Sequence, residues 1–454
     1  MPASRPEPRR SIQSPIRSGR TVSAVIACAA LASAAASCSS EGEASGIDAV
    51  DSGADASATH DAATSDAGAA DASPTFPDAA FDGGPLPIVC ASSSCATSLV
   101  TTYSARQQEG YCALLQDRTV ACWGGNANGQ LGRGDGAPTA GSTAAERVVG
   151  LSDVVQLANT CAVDATGSAW CWGRGAYLRD DGDPGAITTE TTPVKLPLPP
   201  ATSVSVGSIE GAVGCAVLVD GRVVCWGYNG DAQIASFEIA SAWTMLPPTE
   251  VVMPPGAPMR SVTVGEAAFV VRADGTTWSW GRNPPLGRVS SLSPDPLPGE
   301  ISIHQVASLD VAVGRACATL AGTGYCWGRT WTFDGQLDHA LPRAVVAPEP
   351  LVHIATSMLA REYRWCAVGA SGDVYCWGSN AIGQAGDGTK EHAYYTVRVK
   401  GLPAPAAQVK TTPTSTCALL TNGKVYCWGS NAYGQLGSGM FKVPSLVPQE
   451  VVLP

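Results

Sequence analysis

Twelve cysteines in this chain fall into six pairs, nine or ten residues apart: Cys112 with Cys122, Cys161 with Cys171, Cys215 with Cys225, Cys317 with Cys326, Cys366 with Cys376, and Cys417 with Cys427. Thiols repeated at a fixed short spacing can bridge one another or hold a metal. Zinc needs four converging ligands, usually supplied by C-x2-C pairs, and the sequence has none. A cross-strand disulfide needs only two facing positions on a hairpin. The stretch Cys417 to Cys427 supplies them, because two strand-forming runs flank Thr421-Asn422-Gly423. With Leu420 facing Lys424, Gly423 takes the left-handed position of a three-residue turn and Cys417 faces Cys427. In the fifth repeat the loop shortens to Ala321-Gly322, and Cys317 still faces Cys326. Disulfides are therefore the expected chemistry.

The element that positions these pairs repeats along the chain. Each second cysteine is followed by Trp-Gly, at Trp123, Trp172, Trp226, Trp327, Trp377 and Trp428, and a seventh Trp-Gly starts at Trp280 without cysteines. Phe269 and Ser279 stand in their place, ten residues apart. Successive tryptophans lie 49, 54, 54, 47, 50 and 51 residues apart. A strand-rich period near 50 is the signature of a β-propeller, one blade per repeat. The expected fold is all-β: a seven-bladed propeller over residues 96–454, with a hairpin disulfide in six of seven blades. A blade cannot bury its own apolar face, so neighbours must stack, and one large indole per blade suits that interface. The last strand, 447–454, lacks a hairpin of its own, and the first repeat lacks an opening apolar strand. The expectation is that the two ends share one blade and so remove the ring's open edge.

Ahead of the propeller lie two different segments. Residues 1–20 carry five arginines and one acid, and Thr21–Ser37 is apolar and Ala-rich, which reads 1–37 as a signal peptide. Ala35-Ala36-Ser37-Cys38 resembles a bacterial lipoprotein processing box, with Ala35 where Leu is commonest; the resemblance gives Cys38 the lipid. A plain cleaved leader would leave the protein secreted. Residues 38–95 read as an acidic Ala/Asp-rich tether: between Ser39 and Val89 there are ten acids and no Lys or Arg. Its spaced aspartates contain no D-x-D-x-D-G calcium loop. Setting aside Cys28 in the leader and Cys38, the remaining Cys90 and Cys95 are close enough to pair with each other, so every cysteine is assigned. An exported protein, at a bacterial outer membrane or cell surface, suits that chemistry.

The net charge of −11 divides into +4 for the leader, −10 for the tether and −5 for residues 90–454. A mildly acidic propeller is a poor match for nucleic acid. The strings Trp123-Gly124-Gly125-Asn126-Ala127-Asn128-Gly129-Gln130-Leu131-Gly132, Trp377 to Gly386 and Trp428 to Gly437 share the form W-G-x-N-x-x-G-Q-x-G. They resemble repeats of the regulator of chromosome condensation family, whose members are seven-bladed propellers, and the resemblance covers about 99–454. It implies guanine-nucleotide exchange or chromatin binding, both intracellular, and neither suits an exported, disulfide-bonded, acidic chain. No contact residues of that activity can be placed here. Blades two to five depart from the string, and the family's usual His before the first cysteine position is replaced, by Arg315 and Arg364 in blades five and six.

No G-x-S-x-G, H-E-x-x-H, P-loop or dinucleotide fingerprint occurs. The five histidines, His60, His304, His339, His353 and His392, are scattered. No enzyme activity, cofactor or metal is expected; a propeller lyase or hydrolase remains the alternative, as does an inhibitor of a secreted enzyme. The expected function is binding of an extracellular protein or glycan through the irregular loops of blades two to five, with the membrane met only through the lipid. Trp243, Trp331, Phe333, Phe237 and Tyr177 are the candidate contacts, because loop aromatics on a rigid scaffold commonly anchor interfaces. Packing at blade edges is the other use open to them.

Overall fold

The structure, a computed structural model, describes residues 84–454 apart from 93, 103–107, 138, 177–186, 208–212, 243, 333–334 and 360–361. The expected signal peptide, Cys38 and most of the tether lie outside the described residues. Alternating strand-forming runs separated by Gly and Asn turns give 28 strands in seven sheets of four. Blade one is β1–β4 (residues 96–147), blade two β5–β8 (154–195), blade three β9–β12 (201–251), and blade four β13–β16 (259–300). Blade five is β17–β20 (308–344), blade six β21–β24 (351–398), and blade seven β25–β28 (406–451). Neighbouring strands within each sheet run antiparallel, as in the opening and closing blades.

The hairpin register is as the cysteine spacing requires. Between the second and third strands Cys112 faces Cys122, Cys161 faces Cys171 and Cys215 faces Cys225. In the later blades Cys317 faces Cys326, Cys366 faces Cys376 and Cys417 faces Cys427. All six pairs are bonded, with Cα atoms 4.0–4.1 Å apart. That separation is the narrow, non-hydrogen-bonded kind, where Cβ atoms come close enough to bridge. Leu420 and Lys424 close the last hairpin, with Gly423 at φ 76°. A seventh bridge, Cys90–Cys95, lies just ahead of β1. In blade four Phe269 faces Ser279. The Ser279 hydroxyl donates to Leu286 O, and Phe269 fills the next interface, edge-on to Trp327.

Trp-Gly proves to be a β-bulge rather than a simple bend at the end of a strand. In all seven blades the pairing of third and fourth strands slips at the tryptophan, from the cysteine (or Ser279) to the glycine. Cys171, Cys225 and Cys376 are thus the last regularly paired residues before the slip, opposite Val194, Thr249 and Val397. Each of these cysteines has its disulfide on one side and the start of a bulge on the other, a position that hairpin spacing alone does not reveal. The glycine takes φ between 81° and 107°. A Cβ on Gly124 would stand 2.6 Å from Gly110 Cα, so only glycine fits. The slip turns the indole out of its own sheet into the gap before the preceding blade.

Ring closure differs from expectation. β28 (Ser445–Val451) pairs with β27 (Val425–Gly429) of its own blade, and β1 (Ala96–Thr101) is the opening strand of blade one. Among the described residues no strand is shared between the chain's two ends. The opening strand was missed because Ala96-Thr97-Ser98 masks its apolar character; Leu99 and Val100 carry it.

Side chains join the seam instead. Glu109, buried, accepts bonds from Thr412 Oγ1 (2.5 Å), Ser415 Oγ (2.8 Å) and Thr414 N (2.8 Å). Tyr111 OH stands 3.0 Å from Ser415 Oγ, and burial and the Glu109 charge push its pKa up. From blade six, Arg364 Nη1 donates to Thr412 O and Ser415 O at 3.0 and 2.9 Å. Apolar groups of both blades merge around Leu99, Trp123, Leu419 and Leu436. Residues 84–95, read as the end of the tether, run beside this seam: Val89 N donates to Thr421 O and Ala96 N to Gly423 O.

Candidate functional site

The interfaces between blades follow one rule, and the site is its exception. Six indoles donate to a backbone carbonyl of the preceding blade at 2.7–3.1 Å: Trp123 to Gln435, Trp172 to Gln130, Trp226 to Ala176 at the end of β7 (Ala169–Ala176), Trp280 to Gln233, Trp327 to Pro285 and Trp428 to Gln384. These six are fully buried or nearly so. The supporting turn is held by an asparagine whose Oδ1 accepts an amide five residues on, at Asn126, Asn229, Asn380 and Asn431.

Two of the departures foreseen in blades two to five are therefore only apparent. Blade three keeps the turn, with Asn229 and Gln233 in place and Ala232 at φ 53° where glycine is usual. Blade four rebuilds it as Asn283-Pro284-Pro285-Leu286-Gly287, through a cis Asn283–Pro284 bond, and still presents Pro285 O. Blades two and five are the ones that replace the turn by a long hairpin. In blade five this is β19 (Thr323–Thr332) paired with β20 (Gly335–Ala344).

Among the described residues, no turn of blade five covers Trp377. Its indole is half-buried rather than core, and no described carbonyl accepts from it. It stacks on Trp365, centroids 5.9 Å apart and planes 10° off parallel. Trp365 in turn stacks on Tyr363 at 6.3 Å. Above these rings the slot opens as a cleft of about 380 Å³, walled by β20 on one side and by Tyr394 and Tyr395 on the other. Tyr394 is 64% and Tyr395 86% exposed.

The cleft floor is cationic. Arg315, at the start of β18 (Arg315–Leu320), is 2% exposed, and its guanidinium lies 4.1 Å from the Tyr363 ring and 4.5 Å from Trp365. It donates to Arg329 O, but its Nη1 is buried with no partner among the described residues. Burial pulls its pKa down to about 9, so it stays charged at neutral pH. Arg343 and His339 also line the cleft, and no described Asp or Glu does. Burial and the Arg343 charge hold His339 below its ordinary value, hence neutral near pH 7.

This contrast predicts unequal costs for the same substitution. Trp428→Ala is expected to cost about 3–5 kcal/mol, as for a fully packed indole. Trp377→Ala should cost under about 2 kcal/mol, because less apolar surface leaves the core. Denaturant unfolding of both variants checks it; equal losses would mean that the cleft is closed in solution.

The comparisons with known proteins fit this geometry. The family model for the regulator of chromosome condensation (RCC1) repeat matches residues 409–435, the last hairpin and its Trp-Gly turn. The chain is 27% identical to the ultraviolet-B receptor UVR8 of Arabidopsis thaliana over 350 residues, 72% of this chain and 76% of that one. Residues 409–435 thus match an RCC1 repeat, and the chain is similar in sequence to RCC1-type propellers. It is also 27% identical to the E3 ubiquitin-protein ligase HERC2 of Homo sapiens over 302 residues, which make up 62% of this chain but 6% of HERC2. Among solved structures, the fold matches that of yeast RCC1 (Prp20) bound to Kap60, with TM-score 0.60, 18% identity, and 73% and 83% of the two chains covered. Human WBSCR16 matches with TM-score 0.54 at 18% identity, over 72% and 88%.

Of the expected contacts in this propeller, Trp243, Phe333 and Tyr177 lie outside the described residues. Trp331 sits on β19, its backbone paired with Gln336. Phe237, 43% exposed, lies on blade three, away from the cleft. Sequence reasoning missed Arg315, Trp377, Arg343, Tyr394 and Tyr395 as a group. The turn is absent from blades two and five alike; Ala176 on the blade two hairpin still covers Trp226, whereas among the described residues the blade five hairpin leaves Trp377 uncovered.

The central channel, about 370 Å³, was the other place to look. Lys410 Nζ meets Asp310 Oδ1 at 2.5 Å, tying blade seven to blade five, and Thr356 N donates to Asp310 Oδ2. His353 faces the Lys410 charge rather than a carboxylate, and burial with that cation pulls its pKa down to about 3. His304 pairs with Glu300 at 3.4 Å, half-exposed, away from the channel. His353 therefore offers no general base poised near neutral pH. Among the described residues no group of three His, Cys, Asp or Glu could hold a metal.

Proposed function

We propose that this propeller is an exported, envelope-anchored binding module that takes an extracellular protein or glycan into the cleft between blades five and six. The observation that carries the reading is the uncovered Trp377. Six interfaces bury their indole against a carbonyl of the preceding blade, and the seventh leaves an aromatic wall, two exposed tyrosines and two arginines in one concave place. Rigid aromatics and arginines at a concavity are the usual energetic centre of a recognition surface. The relatives support a binding or scaffolding role for the propeller. The seven disulfides support an oxidising compartment over the intracellular setting that nucleotide exchange requires.

The reading narrows the expected surface from four blades to the blade five hairpin and its neighbour. Its test is capture from the producing cell's envelope and secretions, comparing the intact chain with Tyr395→Ala/Arg343→Ala. Both residues are exposed, so the fold should survive. The intact chain is expected to retain one or a few partners that the variant loses. Equal retention by both would remove the cleft from consideration, and turnover of a polysaccharide or lactone library would favour a lyase or hydrolase instead.

A further inference from the structure

The cleft gathers positive charge within an acidic propeller. Residues 90–454 carry a net −5, yet the described lining holds Arg315 and Arg343 and no acid, with the Asp338 charge acting on His339 and Tyr363 from beside it. The arginines Arg147, Arg222, Arg282, Arg288 and Arg398 each have a carboxylate within 3.5 Å, whereas Arg315, like Arg260 and Arg272, is held by backbone carbonyls. Arg315 is a buried cation whose contacts are a carbonyl, a hydroxyl and two ring faces. One of its Nη donors is left over, and Trp365 Nε1 beside it is also buried without an acceptor. Buried donors without partners cost free energy unless a ligand supplies acceptors. Arginine matches carboxylate and sulfate oxygens better than any neutral group.

The wall has its own preference. Trp365 and Trp377 stack within 10° of parallel, and Tyr395 stands opposite. Broad aromatic surfaces suit a ring that offers aliphatic C–H faces and hydroxyls at its rim. The cleft's volume falls in the range of about 300–1,000 Å³ usual for small-ligand sites.

Resting on the binding reading above, we propose that the cleft is a subsite for an acidic sugar, one residue of a polyanionic glycan. Its pyranose ring seats against the Trp365–Trp377 wall, and its carboxylate or sulfate meets Arg343 with the Arg315 charge beneath. The glycan's neighbouring residues leave past Tyr394 and Tyr395.

Isothermal titration of the full chain with four probes tests this: a galacturonic acid oligomer, a heparin-derived oligomer of equal length, a neutral galactose oligomer and a hexaglutamate peptide. The first two separate carboxylate from sulfate as the recognised group. At least one acidic oligomer is expected to bind, with affinity falling as salt is raised from about 50 to about 500 mM and charges become screened over shorter distances. The neutral oligomer should bind at least about tenfold more weakly. Arg343→Ala and Tyr395→Ala should each weaken acidic binding by about tenfold with unchanged melting. If the neutral oligomer binds as well as the acidic ones and Tyr395→Ala weakens all three, the cleft is a binding site but the acidic-sugar assignment is wrong. Tighter binding of a hexaglutamate peptide would replace the glycan with an acidic protein segment. If no probe binds and both variants still capture the same envelope partners, the assignment and the reading beneath it fall together.

Discussion

Glu109→Ala is expected to lower the unfolding free energy of the propeller by about 3–5 kcal/mol, among the largest losses for any single polar residue here. The carboxylate is 3% exposed and accepts three bonds from blade seven, so its removal strands the Thr412 and Ser415 hydroxyls and the Thr414 amide together. It also removes a negative charge close to the buried Arg364 guanidinium, which lies across the same Thr412–Ser415 turn. The seam has no shared strand to take up the loss. Glu266→Ala is the comparison. That carboxylate stands at the equivalent position of blade four, with one 3.2 Å pair to the half-exposed Arg282 and an oxygen that has no partner among the described residues. It should cost less than about 1 kcal/mol. Equal losses in the two variants, measured by denaturant unfolding, would mean that the seam is no weaker than any other interface.

Full reduction is expected to leave the chain unfolded at 37 °C. Each hairpin bridge closes a loop of nine or ten residues, and by chain entropy each contributes about 2.5–3 kcal/mol. Six of them amount to roughly 15 kcal/mol, at the upper edge of the 5–15 kcal/mol that a domain holds in all. Circular dichroism melts with and without reductant read the effect. Peptide mapping of the unreduced chain should recover Cys90–Cys95 and the six hairpin bridges, from Cys112–Cys122 through Cys161–Cys171, Cys215–Cys225, Cys317–Cys326 and Cys366–Cys376 to Cys417–Cys427. A reduced, alkylated chain that melts within a few degrees of the native one would show that the bridges carry little of the fold's stability.

What could be read from the sequence was what repeats locally. Trp-Gly, the cysteine spacing and the Asn-Gly turn each act within about ten residues, so blade number, hairpin register and the bridges were legible. The bulge beside Cys171, Cys225 and Cys376 was not, because it is a property of the fourth strand's pairing, which no short spacing records. The turn in blades three and four was also hidden, because the group that matters is a backbone carbonyl. Ala232 can take the left-handed conformation of a glycine, and Pro284-Pro285 can present the same oxygen as Gly-Gln. Ring closure was missed because it depends on contacts between residues 306 apart in the chain, Glu109 with Ser415. The cleft was missed for a related reason. The missing turn belongs to blade five, and its consequence falls on Trp377, which by its own motif looked like every other core indole.

Since each blade is four consecutive strands and six of the seven indoles look back to a carbonyl of the blade before, the unit of folding here is also a contiguous stretch of coding sequence. A segment of about fifty codons carries a whole sheet, its own covalent staple and both halves of its neighbour contacts. Duplication or loss of such a segment inserts or removes a complete blade without dividing any sheet between the ends of the gene. Propellers that close by sharing strands cannot change this way without repairing the shared blade. The joint loss of both cysteines in blade four, with Phe269 and Ser279 repacked in their place, shows how a copy can then drift on its own while the ring around it holds.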